Sequence, residues 1–158
     1  MSRFYELNQN IMSVLLKMID NQNLCKLLNY NSYSPLSEAN ISDTSILLFD
    51  KIYPFPFVPD VDAIAISQIN VLFDNFQIGK DNPAFKNNQL TFIIVCHSSL
   101  WRMDGMLRPF AIMNEIDTLF NSTNGIGLGK MKFVSGNLMW ANANYSGYKI
   151  NYQICDFN

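Results

Sequence analysis

The chain has 158 residues, of which 49% are hydrophobic and 15% charged, with a formal net charge of −2. That length suits one domain able to bury roughly 70% of the surface its unfolded form exposes, with no staple required. The absence of any lysine or arginine run excludes a phosphate-tracking nucleic-acid footprint, and no stretch of ~18 uninterrupted apolar residues exists to span a membrane.

From Arg3 onward, Phe4, Leu7, Ile11, Val14, Leu15 and Met18 recur at spacings of three and four, which predicts a helix with Ser2 as its cap. Glu6, Lys17 and Asp20 interrupt this stretch, so it reads as neither a signal peptide nor an anchor. Asn21-Gln-Asn23 breaks the helix, and Leu24, Leu27 and Leu28 supply one more turn. Residues 35–59 show little periodicity. Within them Ile52-Tyr-Pro-Phe-Pro-Phe-Val-Pro59 reads as an extended loop, because each proline lacks a donor and fixes its own φ. Its rings, Tyr53, Phe55 and Phe57, must fold back on the core or face a partner.

Alternation over residues 69–74 and a β-branched, aromatic run over 90–95 predict two antiparallel strands. Residues 76–89 between them read as a protruding loop containing Phe76 and Phe85. A second main helix is expected up to Phe120, with Asp104 as cap and Pro109 in the first turn. Its inner stripe is read as Met106, Phe110, Met113, Ile116 and Phe120. Gly125-Ile-Gly-Leu-Gly129 follows a helix and precedes a strand, the reverse of the order that aims amides at phosphate, and so reads as a turn. Strands are then expected at residues 130–134, 138–140 and 145–154, with a turn at 135–137. In the last strand Tyr148, Ile150, Tyr152 and Ile154 share one face. These elements make a single-domain (1–158) α+β protein, an antiparallel β-sheet packed against two main α-helices.

Chemistry is sparse in this sequence. Cys25, Cys96 and Cys155 are widely spaced and, with one histidine, form no metal or redox pattern. Cys96 and His97 are adjacent on a strand and point to opposite faces, so they read as a buried thiol beside a strand-end histidine. Asp104, Glu115 and Asp117 do not converge on one point, and Arg108 reads as half of a surface ion pair worth ~0–1 kcal/mol. No catalytic, cofactor-binding or metal-binding residue is therefore assigned. The candidate partner contacts are Tyr53, Phe55, Phe57, Phe76 and Phe85.

The order helix, long loop, strand pair, helix, strands resembles the tail terminator and tail completion proteins of long-tailed bacteriophages. Val95-Cys-His-Ser-Ser-Leu-Trp101, the segment from Leu107 to Asn121, and the closing stretch from Ser146-Gly-Tyr148 to Asn158 are similar to neck proteins of phages infecting low-GC Gram-positive bacteria. The resemblance implies a tail-terminator-like fold and a hexameric ring of copies that ends tail-tube polymerisation. It also implies tail tube protein and head connector or head-closure protein as partners, and a place in the virion neck after assembly in the host cytoplasm. DNA would cross such a ring without specific binding. The alternatives are a head-closure or adaptor protein of the same neck and, from a different class, a thiol-dependent hydrolase using Cys96.

Overall fold

The computed structural model describes residues 2, 4–80, 85–123 and 130–157; the side chains of residues 85–86 and 155–157 lie outside that description. Two helices open the chain, α1 (Leu7–Ile19) and α2 (Gln22–Asn29). A short strand β1 (Ile52–Tyr53) precedes the long pair β2 (Ser67–Ile78) and β3 (Phe85–His97). A small hairpin, β4 (Arg102–Met103) and β5 (Met106–Leu107), leads directly into α3 (Arg108–Phe120). Strands β6 (Lys132–Trp140) and β7 (Tyr145–Phe157) finish the chain.

The main sheet has the order β1-β2-β3-β7-β6. All its pairs are antiparallel except β1 with β2, where Ile52 lies opposite Ile69. The α+β fold expected from the sequence is present, with a parallel edge strand and a third helix added to it. Helices cover one face of the sheet. Val71, Phe92, Ile94 and Ile150 meet Leu15, Met18, Leu28, Ile112 and Phe120 there in one buried core. Alternation along each strand puts these side chains on the same face, which is why β7 buries Ile150, Tyr152 and Ile154.

Several local expectations give way to tertiary structure. Ser2 does not cap α1: the helix starts at Leu7 after Glu6, with no side-chain cap. Asn21 does more than interrupt. Its side chain accepts from the Leu24 N–H and starts a full second helix, five of whose residues are buried. The long loop contains two 3-10 turns, Pro35–Ser37 and Thr44–Leu47, besides β1. Much of residues 76–89 is strand rather than loop, since β2 and β3 continue as a hairpin past a bulge between Asp74 and Gln77. Asn75 sits there with φ 54, its N–H held by the Asp74 carboxylate.

No turn divides residues 130–140. Ser135-Gly136-Asn137 runs through the middle of β6, the irregularity being a bulge between Phe133 and Ser135. The Asp104 carboxylate does not cap α3 but accepts from the Ser34 hydroxyl at 2.6 Å. Gly105, at φ 75, closes the β4–β5 hairpin that delivers the chain to the helix. The buried stripe of α3 is Pro109, Ile112, Ile116 and Phe120, while Met106 and Phe110 are about half exposed. The glycine-rich stretch 125–129 lies outside the described residues.

Candidate assembly surface

Cys96 and His97 are placed on opposite sides of the sheet. Cys96 is buried in the core, where loss of hydration pushes its thiol up to about 11. His97 packs edge-on against Tyr145 at 5.1 Å. Its Nδ1 accepts from the Ser99 N–H at 3.1 Å and lies 2.8 Å from the Ser99 hydroxyl. A thiolate nucleophile needs a neighbour that stabilises it and a route to substrate, and burial works against both.

Arg108 is the largest departure from sequence reasoning. Instead of a surface ion pair it is fully buried, and its guanidinium donates to the carbonyls of Leu100 (2.8 Å), Leu27 (2.6 Å), Tyr30 (3.0 Å) and Ser32 (2.9 Å). Three of these belong to the end of α2 and the segment just after it, where carbonyls lack helical partners. Arg108 thus closes α2 and ties it to α3. Burial lowers its pKa from the ordinary arginine value, and the five-donor fork makes this residue type suited to the place.

The carboxylates of α3 serve separate structural ends. Glu115 accepts from the side chains of Asn21 (3.0 Å) and Asn23 (3.3 Å), clamping the α1–α2 corner. Asp117 accepts from the Tyr152 hydroxyl at 2.7 Å. Burial, then the Asp117 hydrogen bond and charge, drive the Tyr152 pKa upward. Among the described residues no three His, Cys, Asp or Glu side chains group to hold a metal ion. Nor is any helix there long and apolar enough to cross a membrane.

The aromatic loop is held as a strap across the sheet face that carries no helix. Gln68 and Asn70 both donate to the Phe57 carbonyl, at 2.7 and 2.8 Å. Asn142 and Asn144 donate to the carbonyls of Pro59 and Val61, at 2.8 and 2.7 Å. Tyr53, expected as a contact residue, is only 8% exposed: Phe57 stacks on it at 4.5 Å and Phe55 meets it edge-on at 5.6 Å. Phe55 and Phe57 each keep about two-fifths of their surface open. Phe76 stands in the β2 extension, edge-on to Phe4 at 5.4 Å; Phe85 lies in β3, with its side chain outside the description.

Sequence reasoning missed an exposed apolar surface along β6. Among the described residues no helix covers the sheet beside β6, and Trp140 (69% exposed), Leu138 (58%), Phe133 (52%) and Phe110 (48%) are open to solvent. A cavity of about 430 Å³ lies between α3 and this strand, lined by Phe110, Met113, Asp117, Phe133, Ile150 and Tyr152. The signal was present in the sequence: Phe133, Leu138 and Trp140 make one side of β6 apolar, while Lys132, Ser135 and Asn137 supply the polar side opposite.

Residues 21–154, the greater part of the chain, match the model of the YomW family, and the chain belongs to that family. The family name is that of an SPβ-like prophage gene, which associates the chain with phage. No curated protein and no solved structure matches it.

Proposed function

We propose that this member of the YomW family is a structural subunit of the virion neck, assembling into a ring that ends tail-tube polymerisation and joins the tail to the head connector. The observation that carries the reading is the uncovered apolar surface along β6 and α3, where Phe110, Phe133, Leu138 and Trp140 face solvent in the isolated chain. Monomeric proteins rarely leave a continuous patch of this kind open, whereas buried aromatic anchors dominate many interfaces. The phage association of the family supports the setting, and the scarcity of convergent reactive groups supports action by contact rather than turnover.

The ring carries DNA through its lumen without gripping it, since a net charge of −2 per copy offers phosphate no basic lining. Its partners are further copies of itself, the tail tube protein and the head connector or head-closure protein; a head-closure role in the same neck differs in which of these it touches. Negative-stain imaging of the purified protein, with co-sedimentation against tail tubes and against connectors, tests the reading. Rings that cap tubes are expected. Rings that bind connectors alone select the head-closure role, and the absence of any ring overturns both. Strong DNA retention in a low-salt gel shift contradicts the passive lumen.

A further inference from the structure

Among the described residues, α3 has helices on one side and none on the other. Glu115 holds the α1–α2 corner through Asn21 and Asn23, while Met113 and Asp117, about 160° round the helix from it, line the cavity toward β6. Phe110, Phe133, Leu138 and Trp140 extend that cavity into an apolar trough on the helix-bearing face of the sheet. Residues 121–123 close one end of it: Met131 exchanges backbone hydrogen bonds with Ser122 and Thr123, and the Phe133 N–H donates to the Asn121 side chain. Helix α3 rests over β3 and β7, since Phe120 meets Phe92 and Asp117 meets Tyr152. A further helix packed beside it at about 10 Å, two strand spacings, would lie over β6.

The opposite flank presents what the trough lacks. Helix α1 buries Val14, Leu15 and Met18 in the core, yet it carries a second apolar stripe, Met12 and Leu16, which is exposed together with Tyr5 in the turn before the helix. Lys17 leans toward α3, its ammonium 5.4 Å from the centre of the Phe120 ring. Met12 stands about 140° round the helix from Lys17, so the stripe faces away from α3. A helix that serves one core needs a single apolar stripe, and the second is left over.

Resting on the ring reading above, we infer that the outer stripe of α1 packs into the α3–β6 trough of the next copy and supplies the helix that the fold leaves out there. A ring of identical copies needs two different patches on each copy. This chain carries one ridge and one trough, on opposite flanks. Their lengths agree: α1, with 13 residues, is about 20 Å long, and β6 from Phe133 to Trp140 runs about 23 Å. One contact, repeated round the ring, covers both apolar surfaces of every copy and places the aromatic residues of the trough at its centre.

Blocking one half of the contact at a time tests it. Leu16→Glu spoils the ridge and spares the trough, whereas Leu138→Ser/Trp140→Ser does the reverse. Each protein alone should stay at one subunit in sedimentation velocity with circular dichroism unchanged, and an equimolar mixture should form one-to-one pairs and nothing larger. As a second readout, a Leu16→Cys/Leu138→Cys protein in a Cys155→Ser background, treated with a short bis-maleimide, should give a ladder of linked oligomers, while either single cysteine stays at one subunit. Dimers formed by the Leu16→Glu protein alone would overturn the inference in favour of a two-fold contact between troughs. Rings from that protein at the wild-type concentration, or wild-type rings whose double-cysteine form gives no ladder, would overturn it and leave the ring reading standing. A wild-type chain that stays at one subunit throughout would overturn both.

Discussion

The centre of the sheet and its β6 flank are built from similar residues and reach opposite ends. Over β2, β3 and β7 the helices bury Val71, Phe92, Ile94 and Ile150, and Arg108 seals the junction of α2 and α3. Along β6 the apolar residues Phe133, Leu138 and Trp140 find no covering element among the described residues and remain open. Apolar content alone therefore does not mark core. What separates the two regions is whether the described residues supply the opposing layer; on the proposed reading, another copy supplies it for the flank.

The sharpest break between the regions should come from Arg108. Replacing Arg108 with Ala strands four backbone carbonyls and empties a buried volume, at a cost of about 3–5 kcal/mol. That should lower Tm by about 10 °C or more, and Arg108→Met, which refills the space without donors, should recover only part of it. Scanning calorimetry reads both.

Next comes alkaline pH. Burial pushes the thiols of Cys25 and Cys96 up to about 11. An unfolded thiol ionises near 8.5, so through the window from there to about 11 the folded chain holds more protons. Stability is fully present below that window and falls as pH rises through it, by about 2–3 kcal/mol for each thiol. Denaturant titrations across pH 8–11 should show this slope, and Cys96→Ala should remove about half of it, leaving the share of Cys25.

Much of the covered region was legible beforehand. The 3.6-residue period of residues 4–18 and the alternation of residues 145–154 located α1 and β7, because each has one face on the core. The errors share a cause: a partner distant in sequence. Arg108 at a helix start reads as surface until the end of α2 is placed over it. Helix α3 carries two apolar stripes, and pattern alone mixed them: Ile116 and Phe120 are buried as expected, while Phe110 and Met113 face the open cavity. Ser135-Gly136-Asn137 has the composition of a turn, and only its pairing with Asn151, Ile150 and Lys149 holds it in a strand.

Two smaller effects sharpen the contrast. Tyr152→Phe removes the hydroxyl bond to Asp117 at the boundary between core and cavity and should cost about 1–2 kcal/mol in urea unfolding. Changing Leu138 and Trp140 together to serine touches only the flank, so monomer stability should stay within about 0.5 kcal/mol. Assembly, measured by sedimentation velocity, should nonetheless fail.

The central claim is that the exposed flank is a surface for other copies, and mass in solution tests it most directly. Light scattering of the purified chain over a concentration series should converge on a closed multiple of the 18.1 kDa subunit, with the Leu138→Ser/Trp140→Ser protein remaining at one subunit. A wild-type mass that stays at 18.1 kDa across the whole series would contradict it.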